Sequence, residues 1–150
     1  MKKKILFRSL PLAFLATLFG GIARAELYYV GSTTLERYVT NPDNGSRVYL
    51  SYKKTYVDRE SIGGILAGTI QWDSIEMTYG SNGIPVFYST TQIRGDCRNQ
   101  KIRLQRRDYS IFFGQEKKAP RREFFDGRYT NVSPGSIGHQ ELNFVCSRYL

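Results

Sequence analysis

Cys97 and Cys146 are the two residues of this 150-residue chain whose side chains could bond covalently to each other. Whether this bond forms depends on whether the chain is exported. The amino terminus indicates export, because it has the three parts of a secretory signal peptide. A basic start at residues 2–8 precedes an apolar run at residues 10–22, and Ala23-Arg24-Ala25 follows. Exported cysteines meet an oxidising compartment, so we expect a disulfide, with two buried free thiols as the alternative.

The signal peptide divides the chain into two parts. Cleavage is expected between Ala25 and Glu26, which assigns residues 1–25 to the signal and residues 26–150 to one mature domain. The apolar run is too short for a membrane span and no second candidate follows, so we expect no transmembrane segment. The signal contains no cysteine to acylate, so an N-terminal lipoprotein is not expected.

A basic region is the second feature with chemical potential. Ten basic residues and three acidic ones lie between positions 94 and 122, whereas the whole mature domain has a net charge of only +4. The ten are Arg94, Arg98, Lys101, Arg103, Arg106, Arg107, Lys117, Lys118, Arg121 and Arg122. Basic residues with aromatic neighbours can bind sulfated glycans, acidic protein segments or anionic lipid head groups. A solvated basic loop is the alternative, and the mild overall charge and the export signal argue against nucleic acid.

Catalytic and metal chemistry have little support. His139 is the single histidine, and no serine lies in the Gly-x-Ser-x-Gly context of a nucleophile elbow. Asp58 with Glu60, or Asp73 with Glu76, could form an acid/base pair, but solvated carboxylates at strand ends are the simpler interpretation. One histidine and two oxidised cysteines do not make a metal-ligand cluster. We therefore predict no enzyme, no metal site and no cofactor.

Most of the mature chain has the pattern of β-strands. The predicted strand segments are Leu27–Val30, Arg47–Tyr56, Ile65–Tyr79, Val86–Ile93 and Lys101–Phe113. Turn signals at residues 41–45 and 80–83 separate some of them, and Asp58–Ser61 with Gly63-Gly64 is expected to end another. Long strands with compact turns favour an antiparallel meander.

The carboxyl terminus instead has helical spacing. Ser136 is a suitable N-cap, and Leu142, Val145, Cys146 and Tyr149 follow at positions i, i+3, i+4 and i+7. Because Cys146 lies on this apolar stripe, a disulfide to Cys97 would attach the buried side of the helix to the sheet. The loop it closes, about 50 residues, corresponds to a stabilisation of about 4 kcal/mol in the chain-entropy model. The fold class is therefore α+β.

Three short motifs resemble the bacterial surface-adhesin E (protein E-like) family over about residues 27–146. They are the segment Tyr56–Ile62, Asp96-Cys97 at the end of a predicted strand, and the terminal Phe144-Val145-Cys146. The resemblance implies a single antiparallel sheet of about six strands, with a C-terminal helix tied to its concave side by one disulfide. Members are associated with the bacterial surface and with binding of host extracellular-matrix and serum proteins, often as dimers. The namesake type is a lipoprotein, and this chain departs from it in the signal.

Two functions are consistent with these features. The first is an exported, adhesin-like binding protein that contacts host matrix or serum proteins, sulfated glycans or other acidic ligands through the basic region and the sheet surface. Tyr28, Tyr29, Tyr49 and Tyr52 could add to that surface if they line an open sheet face. The second is a periplasmic accessory or structural subunit of an envelope assembly. Export to the periplasm, the cell surface or the medium is expected in either case, and a homodimer is compatible with both.

Overall fold

The computed structural model of the chain describes residues 26–41, 43–66, 68–113, 116–117 and 121–149. The predicted signal peptide and Lys118 lie outside these residues. The elements, in chain order, are β1 Leu27–Thr40, β2 Arg47–Leu66, β3 Thr69–Gly80, β4 Pro85–Asp96, β5 Lys101–Phe113, β6 Glu116–Lys117, β7 Arg121–Phe124, β8 Thr130–Asn131 and α1 Ile137–Tyr149. No helix in the described part of the chain is long and apolar enough to cross a membrane.

The strands form one antiparallel sheet in chain order. Each of β1 to β4 pairs with the next strand, as a meander requires. The short β6, β7 and β8 all pair with β5, and together they make an interrupted sixth strand along it. The predicted α+β fold, with an antiparallel sheet of about six strands and a terminal helix, is confirmed.

Two strands are longer than predicted. β1 continues through Gly31 to Thr40, because it pairs with β2 along almost its whole length. Its apolar and polar residues do not alternate regularly, and two shifts in register accommodate this. The expected break after Tyr56 was wrong, since β2 continues to Leu66 across an irregularity in its pairing with β3. Ile65 and the neighbouring Leu66 therefore belong to β2, not to the next strand.

Side chains stabilise the irregular part of β2. The Glu60 backbone N–H donates to Asp58 Oδ1 at 3.0 Å. Ser61 Oγ donates to the Asp58 carbonyl at 2.6 Å and accepts from the Asp73 backbone N–H at 2.7 Å. These bonds replace regular ladder hydrogen bonds where the register slips, so turn-favouring residues are accommodated inside a strand.

The helix begins as its sequence predicts. The His139 backbone N–H donates to Ser136 Oγ at 3.2 Å, which is the N-cap hydrogen bond. Leu142, Val145 and Cys146 are all buried, as the apolar stripe requires. The fourth member of the stripe, Tyr149, ends the helix, and its side chain lies outside the described residues.

The helix packs on one face of the sheet, and the disulfide lies at this contact. Cys97, just after β4, is bonded to Cys146 of α1, 49 residues later, with their Cα atoms 5.7 Å apart. The sheet side of the core is apolar and consists of Val57, Ile70, Trp72 and Ile93. At the edge of the sheet, Tyr28 of β1 stacks on Phe144 of α1, with ring centroids 3.6 Å apart. The predicted disulfide and its attachment of helix to sheet are confirmed.

Candidate functional site

The register of the strands separates the two faces of the sheet. Residues directly opposite in an antiparallel ladder point to the same side. Trp72 pairs with Ile93, and Ile93 with Leu104, so this row lies on the side of α1. Ile75, of opposite parity to Trp72, pairs with Tyr56 of β2 and points away from the helix.

The face turned away from α1 carries tyrosines on one half and arginines on the other. We call it the tyrosine–arginine face, and it is defined by Tyr29, Tyr52, Tyr56, Tyr79, Tyr88, Arg94, Arg103 and Arg106. The tyrosines come from β1 to β4, whereas the arginines come from β4 and β5. The sheet therefore presents an aromatic area beside a basic one, on rigid paired strands.

Four of the five tyrosines form ring pairs. Tyr52 and Tyr79 stack with centroids 4.8 Å apart, and Tyr29 and Tyr56 are tilted at 5.6 Å. The Lys54 ammonium lies 5.8 Å from the Tyr52 centroid and 5.7 Å from that of Tyr79, within the range of a cation–π contact. The cluster is thus a prearranged aromatic surface with one cation over it.

Partial burial raises the pKa values of tyrosines on this face. Burial raises the pKa of Tyr79 to about 12, and the nearby Tyr56 and Tyr52 hydroxyls add to the increase. Burial likewise raises the pKa of Tyr56 and of Tyr88. These phenols stay neutral at physiological pH, and the Tyr79 hydroxyl donates to Met77 Sδ at 3.7 Å.

Two arginines lie directly opposite each other on this face. Arg94 of β4 pairs in register with Arg103 of β5, which places two like charges on adjacent strands. Arg94 Nε donates to the neutral Gln71 side chain at 3.2 Å, and the Arg103 guanidinium lies 5.9 Å from the Tyr129 ring. Neither forms an ion pair with a described residue. Opposed like charges destabilise a sheet, and a bound anion would offset that cost.

The Arg103 side chain is also incompletely hydrogen-bonded. Its Nε atom is buried and has no hydrogen-bond partner among the described residues. The segment after β7 holds the guanidinium closely, since a Cβ added to Gly127 would lie 2.9 Å from that same Nε. The guanidinium is therefore held in position by the segment after β7, and its Nε atom is shielded from solvent.

A second part of the basic area is neutralised within the protein. Arg122 of β7 donates from Nε to Asp108 Oδ1 at 2.6 Å, and Arg106 Nε lies 3.3 Å from Asp108 Oδ2. The hydrogen bond from Arg122 lowers the pKa of Asp108. Arg106 and Arg122 are therefore less available to an external anion than Arg94 and Arg103.

A carboxylate pair lies between the aromatic and basic halves. Asp58 and Asp73 are directly opposite on β2 and β3. Burial raises the pKa of Asp73, the Asp58 charge raises it further, and Arg106 lowers it. Asp73 and Glu76, the other pair considered from the sequence, point to opposite faces because they have opposite parity on β3. Sequence spacing missed the pairing of Asp58 with Asp73, which depends on strand register.

The remaining predicted basic residues are placed elsewhere. Arg107 lies on the helix side, where its Nε donates to Thr91 Oγ1 at 3.0 Å and its guanidinium lies 5.3 Å from the Phe125 ring. Arg121 pairs with Tyr109 and shares that side. Lys101 has the parity of Arg103, and Arg98 is exposed in the turn after Cys97. Lys117 belongs to β6, but its side chain lies outside the described residues.

His139 is used locally at the start of α1. Its Nδ1 accepts from the Gly135 backbone N–H at 3.2 Å, and its Nε2 lies 3.2 Å from the Asn143 amide nitrogen. Both ring nitrogens thus have partners within the helix start, consistent with a structural role. Within the part of the chain that the structure describes, no group of three or more His, Cys, Asp or Glu residues could hold a metal ion.

The helix side holds a buried carboxyl that sequence reasoning missed. Glu141 of α1 is 4% exposed, and its Oε1 has no hydrogen-bond partner among the described residues. Burial raises its pKa to about 8, and Ser74, Lys53 and Trp72 only partly offset that increase. Lys53 is bonded to Glu76 at 2.7 Å, and the charge of Glu76 raises the pKa of Glu141 further. In the sequence, its burial was indicated only by its position one residue before Leu142, at the border of the apolar stripe.

Comparison with known proteins agrees with this architecture. The family model for surface-adhesin protein E matches residues 50–147, from β2 to the end of α1, which is well over half of the chain. No curated protein matches the chain significantly. The family is one of exported surface proteins and indicates a non-enzymatic, adhesin-like role. The chain belongs to the surface-adhesin protein E family.

Proposed function

We propose that the protein binds acidic or sulfated ligands of the host surface through the tyrosine–arginine face. The observation that carries this proposal is the opposed pair of Arg94 and Arg103, which lacks a carboxylate partner among the described residues. The extracellular matrix is rich in sulfated glycans, and a sulfate would neutralise both guanidinium groups at once. Bidentate binding by arginine is the strong form of such contacts.

The aromatic half of the face suits the same role. Tyr29 is 50% exposed, and it packs against Tyr56 on rigid strands. Stiff aromatic rings give contact area at low entropic cost, which is why tyrosine is enriched at interfaces. We therefore assign the arginines to recognition of the anionic group and the tyrosines to contact with the ligand around it.

The Arg94–Arg122 basic region thus acts in two ways. Arg94, Arg103 and Arg106 are part of the binding face, whereas Arg107 and Arg121 point to the helix side and do not contribute directly. Lys101 extends the basic edge beside Arg103 and adds attraction at long range.

The experiment is heparin-affinity binding of the mature domain at about 0.15 M salt, an ionic strength that screens diffuse attraction. Replacing Arg94, Lys101 and Arg103 by Glu should abolish retention. A matched variant with Arg37, Arg121 and Arg148 replaced by Glu has the same net charge but leaves the face intact, so it should retain most of the binding. Equal loss in both variants would reduce the interaction to bulk charge and reject the proposed site.

Location on the cell separates the proposal from an accessory role in the periplasm. We expect an antibody against the folded domain to label intact bacteria, and protease added to intact cells to remove the protein. Complete protection in intact cells, with cleavage only after the outer membrane is opened, would favour the envelope-subunit function instead.

A further inference from the structure

A pocket lies on the helix side of the sheet, away from the tyrosine–arginine face. It is a pocket of about 240 Å³ to which strands β1 to β5 all contribute. Its lining is mainly apolar, with Val39, Leu50, Val86, Phe87 and Ile111, and it includes the exposed Tyr38. Thr78 pairs with Lys53 and lies two positions beyond Glu76 on β3. These residues point to the side of α1, so the pocket lies on that side of the sheet. It is beyond the part of β3 that the helix covers.

The aromatic wall of this pocket is held in place from the side. Phe87 stacks on Tyr109 of β5, with ring centroids 5.5 Å apart. Leu50, at 1% exposed, forms an immobile part of the lining. Apolar cavities of about 150 Å³ are large enough to take a benzene ring, so a pocket of this size can hold a phenyl ring with a short chain.

A single positive charge lines the pocket. Arg37 of β1 is exposed, pairs in register with Leu50, and forms no ion pair with a described residue. Thr78 and Tyr38 are the neutral hydrogen-bonding residues of the lining. Lys53, which pairs in register with Thr78, is bonded to Glu76 and so is already neutralised. A ligand with an apolar body and one negative group would be complementary to this arrangement.

We infer that this pocket binds small carboxylic acids with a phenyl or short branched alkyl group. The apolar group enters between Phe87, Ile111 and Leu50, where its transfer from water is favourable. The carboxylate stays at the exposed mouth and accepts charge-assisted hydrogen bonds from the Arg37 guanidinium. The site is independent of the proposed host-binding function, because it lies on the other face of the sheet.

The test is an amide NMR titration of the mature domain with 3-phenylpropionate and with its neutral analogue 3-phenylpropionamide. We expect 3-phenylpropionate to bind more tightly, with the largest shifts at Thr78, Phe87 and Ile111. Arg37→Gln should weaken binding of the acid by about fivefold, the loss of one exposed charge-assisted hydrogen bond, and leave the amide unchanged. The matched control Arg47→Gln removes an exposed arginine of opposite parity and should leave both affinities unchanged.

A pocket-filling variant tests the apolar part separately. Val39→Trp on the edge strand should abolish binding of both compounds, while amide shifts elsewhere show that the sheet is intact. Equal affinity of the wild-type domain for the acid and the amide would overturn the role of Arg37. Shifts confined to α1 amides, or binding that survives Val39→Trp in a folded domain, would overturn the site itself.

Discussion

Gly95 of β4 lies directly under Leu142 of α1, so closely that a Cβ at this position would come within 2.6 Å of Leu142 Cδ1. The same Cβ would lie 2.7 Å from the Trp72 ring, which is completely buried. The absence of a side chain at Gly95 is what lets the helix approach the sheet two residues before the disulfide at Cys97. Helix docking therefore depends on one small residue as well as on one covalent bond.

Gly95→Ala should consequently destabilise the domain. The added methyl group meets Leu142 and Trp72, neither of which can move freely, so overpacking should lower the free energy of unfolding by about 1–3 kcal/mol. Gly63→Ala is the matched control, because its Cβ would meet nothing within 4 Å and should change stability by less than about 0.5 kcal/mol. Urea unfolding of both variants measures the difference. Equal stability of the two variants would show that α1 does not pack as described.

Removing the disulfide should cost more. Replacing Cys97 and Cys146 by Ser reopens a loop of 49 residues, which the chain-entropy model values at about 4 kcal/mol. We expect a large decrease in the urea midpoint of the double variant, and the same decrease for the wild-type chain after reduction. Unchanged unfolding midpoints under reducing conditions would contradict a structural role for the bond.

Glu141 makes stability depend on pH. Its folded-state pKa of about 8 lies above the ordinary value of 4.5, so between these pH values the folded state keeps a proton that the unfolded state releases. Stability contributed by that proton is fully present below about pH 4.5 and is lost as the pH rises to about 8, with a slope of at most about 1.4 kcal/mol per pH unit.

Glu141→Gln tests this effect because it keeps the shape and removes the charge. The variant should unfold at higher urea concentration than wild type at pH 7.5 and differ little at pH 4.5. Glu123→Gln, an exposed carboxyl on β7, serves as the control and should not change the pH profile. A parallel pH dependence for wild type and Glu141→Gln would contradict the buried carboxyl described here.

The strands and the terminal helix could be predicted because they depend on local spacing, and the disulfide because an exported chain has only two cysteines. Leu142, Val145 and Cys146 have the helical period. A disulfide from Cys146 therefore had to attach the buried side of the helix to the sheet. Strand ends were less predictable, since the turn-favouring residues from Asp58 to Ser61 are retained inside β2 by hydrogen bonds within that strand and from the neighbouring strand β3.

The division of the basic residues between two faces could not be predicted. Strict alternation along β5 would place Arg103 with Arg107 and put Arg106 on the other side. A register shift opposite Ile93 reverses this, so that Arg106 shares a face with Arg103 while Arg107 points to the helix side. An extra residue in one strand reverses the face to which every later side chain points. Neither the composition nor the net charge of the sequence indicates where such a shift occurs.

The pairing of Arg94 with Arg103 gives the most direct test of the tyrosine–arginine face, because Arg94→Glu should move stability and binding in opposite directions. The change converts opposed like charges into an ion pair, so the free energy of unfolding should rise by up to about 1 kcal/mol. Heparin binding should fall at least about fivefold, since one charge-assisted contact is lost and a repulsive charge is added. Arg121→Glu, on the helix side, should change binding little.

The decisive measurement is therefore heparin affinity and urea stability determined together for Arg94→Glu. We predict a domain that is as stable as wild type or more stable and that binds heparin clearly less well. A stable Arg94→Glu domain with wild-type heparin affinity would contradict the assignment of this face as the binding surface.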